Sequence, residues 1–252
     1  MKCFGLIGHP LGHSYSKVYF TEKFEREGVD ACYELFDLSS IDELPRLLTT
    51  HPDLRGFNVT VPYKETILPF MDGLDEVAKE VGAVNTVKVM DDGRLKGFNT
   101  DVIGVVATDV ASRWGAEDYG GLALILGTGG ASKAVQYVLK KRGIPFHLVS
   151  RNPEKGHFTY ESLIPEVINE HLLIINATPV GMAPHIEEAP MIPYEAITPQ
   201  HILFDLIYNP EETRFLRMGR ECGAVTMNGL TMLHAQADAA WDVWNSSSLR
   251  GL

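Results

Sequence analysis

The chain has 252 residues, 45% hydrophobic and 22% charged, with a net charge of −11. That length suits one large or two modest domains with a full core. The acidic balance, with no basic stripe, argues against nucleic acid or an anionic membrane as partner. No apolar run approaches membrane-spanning length. The three cysteines, Cys3, Cys32 and Cys222, lie far apart in sequence, and the nine histidines include no His-x-x-x-His pair, so neither set has metal-ligand or redox spacing. The first residues enter a strand-like run rather than a secretory leader. A reduced cytoplasmic protein without a structural metal is the expectation.

Taken in order, Cys3 to Ile7 reads as a buried strand running into Gly8-His-Pro-Leu-Gly-His-Ser-Tyr-Ser16, a loop rich in turn formers and hydroxyls. A helix is predicted over about Lys17 to Glu27, with Val18, Phe20 and Phe24 as its apolar face and Gly28 as its stop. A strand over Cys32 to Asp37 follows, then a helix over Ser40 to Leu48, opened by a capping-box spacing of Ser40 and Glu43. Leu54 to Thr60 reads as a strand broken by Pro62 and leading to Lys64. A helix is expected over Asp72 to Glu80 and a strand over Ala83 to Val89. Asp92-Gly93 marks a hairpin turn, and the second strand ends in Gly97-Phe-Asn-Thr-Asp101. The pattern of Val102, Val105, Val106 and Val110 predicts a helix to about Trp114.

Gly121 to Ala134 reads as strand, glycine turn and helix: Leu122 to Leu126, then Gly127, Thr128, Gly129 and Gly130, then a helical pattern from Ala131. This is the local architecture that cradles a dinucleotide pyrophosphate. Gly127 permits the tight turn, Gly129 lets the backbone approach the phosphates, and the helix start offers free N–H groups. Ser132 stands where the fingerprint has its third small residue. The next strand, Ile144 to Val149, ends in Ser150 and Arg151, with Lys155 close behind. An NAD-binding unit would carry a carboxylate there, whereas a guanidinium forks onto a 2′-phosphate, so the pattern favours NADP. The simpler reading is a solvated basic loop.

A helix near Tyr160 to Val167, a strand over Leu172 to Ile175 and the turn segment Asn176-Ala-Thr-Pro-Val-Gly-Met182 follow. After a loop-rich stretch from Pro184 to Pro199 come a strand over His201 to Leu206, the segment Tyr208-Asn-Pro210, a helix over Glu212 to Cys222 and a last helix over Leu230 to Asn245 carrying Gln236. The strand–helix alternation argues for two α/β domains on largely parallel sheets.

In the first half, Ser14 with Ser16, Thr60 with Lys64, Asn85, and Asn99 with Asp101 all lie near strand ends. If those strands share one parallel sheet, their carboxyl ends converge, and a Lys beside an Asp makes a proton-transfer pair. Each residue alone has a plainer role: Asp101 as a helix cap, Lys64 as a turn lysine, the serines as loop hydroxyls, His9 and His13 as caps of local backbone. The residues by themselves point to a dinucleotide-dependent oxidoreductase with a polar cleft and leave its substrate open.

Together these motifs resemble the shikimate dehydrogenase family along nearly the whole chain. The loop Gly8 to Ser16 is similar to its first substrate loop, Asn58-Val-Thr-Val-Pro-Tyr-Lys64 to its catalytic-lysine motif, and Gly82-Ala-Val-Asn-Thr86 and Asn99-Thr-Asp101 to its Asn and Asp segments. Gly127 to Ser132 and Ser150 to Lys155 are similar to its NADP-binding pieces, and Asn176 to Met182, Asp205 to Pro210 and Gly229 to Gln236 to its later signatures.

The resemblance implies reversible NADPH-dependent reduction of 3-dehydroshikimate to shikimate, with Lys64 and Asp101 catalytic. It implies that Ser14 and Ser16 hold the substrate carboxylate, that Thr60, Asn85, Asp101 and Gln236 bind ring hydroxyls, and that Tyr208 is a further substrate contact. Glu76, Gly127, Thr128, Gly129, Gly130, Ala131, Ser150, Arg151, Lys155, Thr178, Leu206 and Gly229 fall on the cofactor side. The implied fold is a substrate domain of residues 1–101 completed by the C-terminal helix 229–252, and a Rossmann-like NADP domain of residues 102–228, with a cleft between them. A monomer or homodimer is expected.

Departures from the family pattern are Lys17 in place of Pro, which could set a cation near the carboxylate site, Ser150 and Asn152 around Arg151, and Thr231 and His234 in the last helix. Two other readings stay open: a quinate/shikimate dehydrogenase using NAD, and a non-enzymatic sensor of shikimate or NADP on the same fold.

Overall fold

Strand β1 (Lys2–Gly8) is the predicted apolar run extended by one residue at each end, with every residue after Lys2 buried. In the computed structural model, which describes residues 1–12, 14–108 and 121–246, β1 stands inside the first of two compact units. Unit 1 comprises Met1–Thr100 and the residues from Ala237 onward; unit 2 comprises Asp101–Gln236.

In unit 1, β1 is followed by α1 (Tyr15–Glu27), β2 (Ala31–Asp37), α2 (Leu44–Thr50), β3 (Leu54–Val59), α3 (Tyr63–Thr66), β4 (Gly73–Leu74), α4 (Glu76–Val81), β5 (Thr86–Val89) and β6 (Leu95–Phe98). The sheet order is β2-β1-β3-β5-β6-β4, and β5 alone runs against its neighbours.

Local chemistry explains the boundaries. Gly28 ends α1 in the left-handed conformation at φ 64°, which a side chain would resist. The capping box forms as expected, Ser40 Oγ accepting from Asp42 N–H and Glu43 Oε1 from Ser40 N–H. It opens a short 3-10 turn, Ile41–Glu43, ahead of α2. Helix α4 starts later than predicted because Asp75, not Asp72, is its cap, accepting from Val77 and Ala78 N–H groups. On α1 the buried face is Phe20, Lys23 and Phe24, while Val18 is exposed.

Two other expectations change. His9 pairs through Nδ1 with Asp37 Oδ1 at 2.7 Å rather than capping backbone, and His13 lies outside the described residues. The β1–β2 register sets Cys3 opposite Cys32 despite their distance in sequence. Burial, then the neighbouring Cys32 thiol, pushes the Cys3 thiol up to about 12, so it behaves as an inert apolar group.

Unit 2 contains α5 (Asp101–Ala107), β7 (Ala123–Leu126), α6 (Gly130–Lys141), β8 (Phe146–Val149), α7 (Pro165–Glu170), β9 (Leu173–Asn176), β10 (Ile202–Asp205), α8 (Arg214–Glu221), β11 (Val225–Met227) and the first part of α9 (Leu230–Asn245). Its sheet, β11-β10-β9-β7-β8, is parallel throughout. Strands β7 and β9 are wholly buried, as central strands covered on both faces must be.

The helix predicted near Tyr160 is instead a 3-10 turn, Tyr160–Ser162, and α7 begins at Pro165, a residue suited to the first helical position. Val102 and Val105 are buried on α5 and Val106 is exposed; Val110 and Trp114 lie outside the described residues. The division between units falls within α9, after Gln236. Beyond that point α9 contributes Ala237, Ala240, Val243 and Trp244 to a unit 1 core with Phe4, Phe20, Phe24 and Tyr33. Among the described residues no helix is long and apolar enough to cross a membrane, and no cluster of His, Cys, Asp or Glu could hold a metal ion.

Candidate active site

On unit 1 the polar segments converge on one edge of the sheet. Thr60 N–H donates to Ile7 O at 2.9 Å and His9 N–H to Val61 O at 3.1 Å, joining the exits of β1 and β3. Val84 N–H donates to Lys64 O at 2.7 Å, Val59 N–H to Asn85 O at 2.8 Å and Asn85 N–H to Phe98 O at 3.1 Å. Asn85 reaches this edge because β5 is antiparallel: its beginning lies beside its neighbours' carboxyl ends. Ser14 is the residue before α1, and its side chain makes no capping bond; Ser16 lies in the first turn. Thus Thr60, Lys64 and Asn85 share one edge, and Ser14 and Ser16 lie at the start of α1, on the chain that leaves β1 there. Lys17 is drawn to β2 instead, its Nζ 3.1 Å from Glu34 Oε2, so its charge is already countered there.

Behind this edge lies a buried hydrogen-bond lattice. Asn85 is 2% exposed; its Oδ1 accepts from Thr100 N–H at 2.7 Å and its Nδ2 donates to Thr100 Oγ1 at 3.0 Å. Asn99 Nδ2 donates to Ala83 O at 2.9 Å. In an interior, a side chain tied at both ends has one orientation.

Unit 2 carries the other substrate candidates. Asp101 is the first residue of α5 and is buried. Gln236 Nε2 donates to Leu233 O at 2.9 Å. A Cβ on Gly104 would stand 2.7 Å from Met232 O and 3.3 Å from Gln236 Cβ, so the helices of Asp101 and Gln236 pack backbone to backbone. Tyr208 follows β10 and is half-buried.

The cofactor candidates gather at the carboxyl ends of β7, β9 and β10. Gly127 adopts φ 102°, a conformation for glycine, and an added Cβ would press on Thr178 Cγ2 at 2.9 Å. Gly129 differs: its φ of −82° suits any residue, and a Cβ there would meet no protein atom within 4 Å. Neither conformation nor packing demands glycine at 129, so the open space above the start of α6, whose first N–H groups lack helical partners, suits a phosphate. Thr128, Gly130 and Ala131 complete this turn. Ser132 is fully buried, and its hydroxyl donates to Gly127 O at 2.7 Å, replacing the close packing of a third glycine with a hydrogen bond.

Thr178 Oγ1 donates to Asn176 Oδ1 at 2.6 Å, and Leu206 N–H donates to Asn176 O at 3.0 Å. Gly229 is needed because a Cβ would fall 2.1 Å from Leu206 O.

After β8 the chain forms a self-bonded loop: Ser150 Oγ accepts from Asn152 N–H at 3.1 Å, and Asn152 accepts from Glu154 N–H at 2.9 Å and, through its carbonyl, from Lys155 N–H at 3.0 Å. Ser150 and Asn152 therefore shape the backbone, leaving Arg151 and Lys155 exposed for an anion. Glu76 stands apart from these groups; it opens α4 of unit 1 with its carboxylate 2.7 Å from Lys79 Nζ.

Sequence reasoning gave no role to Asp205 or Tyr33. Asp205 is fully buried, holding Asn176 Nδ2 at 3.1 Å, Ile207 N–H at 3.0 Å and Thr213 Oγ1 at 2.6 Å. Burial pushes its carboxyl up to about 6, against the pull of those three donors. A carboxylate at the end of the apolar run Ile202–Phe204 was the available signal.

A parallel sheet with a glycine turn at the start of α6, in a chain whose other α/β unit carries a polar sheet edge, defines a dinucleotide-dependent dehydrogenase class. The profile of the shikimate dehydrogenase substrate binding domain matches residues 6–87. A shikimate dehydrogenase (NADP(+)) from Halothermothrix orenii is 38% identical over 95% of this chain and 89% of its own length. The chain belongs to the shikimate dehydrogenase family. Shikimate 5-dehydrogenase from Thermus thermophilus, solved with NADP(H) and shikimate, is 34% identical with a TM-score of 0.83, covering 97% of this chain and 94% of that one. Quinate dehydrogenase from Corynebacterium glutamicum, solved with NAD, is 26% identical with a TM-score of 0.83, covering 97% of this chain and 93% of that one.

Proposed function

We propose that this chain catalyses the reversible NADPH-dependent reduction of 3-dehydroshikimate to shikimate, a step of aromatic amino-acid biosynthesis. The observation that carries the reading is Thr60, Lys64 and Asn85 on one edge of unit 1, a hydroxyl–amide–ammonium array suited to a small hydroxylated acid, with Ser14 and Ser16 at the start of the helix that follows β1. NADPH supplies the hydride. Ser14 and Ser16 hold the carboxylate, while Thr60, Asn85 and Gln236 bind ring hydroxyls and Tyr208 adds a contact. As the ketone carbon is reduced, negative charge grows on its oxygen. Lys64, acting with Asp101, meets that charge with a proton or a proton-donating hydrogen bond.

Gly127, Thr128, Gly129, Gly130 and Ala131 receive the pyrophosphate, and Thr178, Leu206 and Gly229 line the same side, with Glu76 assigned there by family resemblance alone. Ser150, Arg151 and Lys155 form the 2′-phosphate loop, which favours NADP and weighs against the NAD-using quinate reading. The enzyme acts in the cytoplasm as a monomer or homodimer.

The test is product identification. Incubation with 3-dehydroshikimate and NADPH yields shikimate, and NADP⁺ is reduced with shikimate but not with quinate. Recovery of unreacted ketone, with shikimate or NADPH still bound, would instead mark a sensor.

A further inference from the structure

Strand β8 is an edge of the unit 2 sheet, bonded to β7 alone. Leu148 turns its backbone groups to the open side, where the chain returning from the loop that carries Arg151 and Lys155 meets them. Leu148 O accepts from His157 N–H at 2.8 Å and from Phe158 N–H at 3.1 Å, and Ser150 N–H donates to Phe158 O at 3.0 Å. Leu148 N–H donates to a side chain instead, His157 Nδ1, at 3.0 Å. The two ends of the loop are thus clasped to each other, and one bond of the clasp belongs to an imidazole. Because its partner is a backbone N–H, Nδ1 accepts, and the neutral ring carries its proton on Nε2. The residue is exposed, yet its ring is seated. It lies against His147 with centroids 5.0 Å apart, and His147 Nδ1 is 2.8 Å from Nε2 of the fully buried His171.

We infer that His157 is a positioning residue for dinucleotide selection, its Nδ1 holding Leu148 N–H and so fixing the loop that presents Arg151 and Lys155. The inference rests on the reading of those two cations as the holders of the 2′-phosphate. Two features separate this role from general stability. The bond lies on the outer side of an edge strand, where it joins one end of the loop to the other; the bonds of β8 to β7 do not involve it. Its loss therefore loosens the loop rather than the sheet. Arg151 and Lys155 are also long, exposed side chains, which lose freedom when they grip an anion. A backbone already clasped beneath them reduces what must be ordered at that moment.

The experiment measures Kd for NADPH and for NADH by fluorescence titration of the full chain as wild type, His157→Ala, His157→Asn and Arg151→Ala. H157A is expected to weaken NADPH about five-fold, the size of one lost neutral hydrogen bond, and to leave NADH unchanged. The unchanged NADH value reports in the same assay that the dinucleotide unit is folded. Asn sets its Oδ1 as many bonds from the backbone as His sets Nδ1, so H157N can still accept from Leu148 N–H and should bind NADPH as wild type does. If H157A weakens both dinucleotides alike or neither, or if H157N behaves as H157A does, the positioning role is overturned. If R151A weakens NADPH no more than NADH, the 2′-phosphate is read elsewhere, and the inference falls with that reading.

Discussion

Asp205 gives a prediction that depends on the interior of unit 2 alone. Its carboxyl, ordinarily near 3.8, is pushed up to about 6 by burial. The native chain therefore holds the proton to higher pH than the unfolded chain does. The associated stability is complete below about pH 4, falls as the pH rises through about 6, and leaves an ionised group costing ~3 kcal/mol at neutral pH. Asp205→Asn removes the charge and keeps most of the geometry. Asn Oδ1 can still accept from Asn176 Nδ2 and Ile207 N–H, which share one oxygen, while the bond from Thr213 must be reversed. With ~1 kcal/mol lost at Thr213, D205N should be more stable than wild type by about 2 kcal/mol at pH 8 and slightly less stable near pH 4. Urea denaturation of both proteins across that range, followed by circular dichroism, measures the difference. The subtraction cancels every other titrating group. A difference that does not vary with pH, or a D205N chain that is less stable at pH 8, would refute the reasoning.

Lys64→Ala should lower kcat by about 10²–10⁴-fold with little change in ligand affinity; unchanged turnover would remove Lys64 from the chemistry. Arg151→Ala should weaken NADPH by roughly ten- to hundred-fold and NADH hardly at all, since only the former carries the phosphate a guanidinium would fork. Equal losses, measured by titration of each dinucleotide, would mean that the 2′-phosphate is read elsewhere. Gly229→Ala drives a Cβ to 2.1 Å from Leu206 O, so the thermal midpoint should fall, with overpacking of this kind costing ~1–3 kcal/mol. Gly129→Ala meets no protein atom; it should leave the midpoint unchanged and weaken NADPH. A G129A chain that binds NADPH as wild type does would move the pyrophosphate away from this turn.

The sequence was most legible where one local rule decides. Gly28, Ser40 with Glu43, and Asp92-Gly93 mark their cap and turn positions through backbone conformation or short-range bonding, and the structure has them so. The bounds of α9, Leu230–Asn245, follow from its run of small and aromatic residues. It was least legible where tertiary pairing decides. Strands β4 and β11 are too short to show a period, and each exists through one neighbour. The reversed direction of β5 cannot be read from Thr86–Val89, yet it is what carries Asn85 to the sheet edge. The 3-10 turn at Tyr160 read as helix because its composition is helical, while Pro165 set the true start. Within the site, motif residues were visible as motifs. Asp205 stood at the head of one and Tyr33 in none, but the purpose of neither was visible, because a buried polar group in a strand shows its purpose only through partners distant in sequence.

The most direct measurement is oxidation of NADPH by the purified chain with 3-dehydroshikimate, run beside NADH at matched concentrations. The account predicts rapid turnover with NADPH and a kcat/KM for NADH lower by at least about ten-fold, the scale of lost charge-assisted bonds to one phosphate. Equal or better turnover with NADH would contradict the reading of Arg151 and Lys155. No turnover with either would contradict the assignment of Lys64 and Asp101 to catalysis.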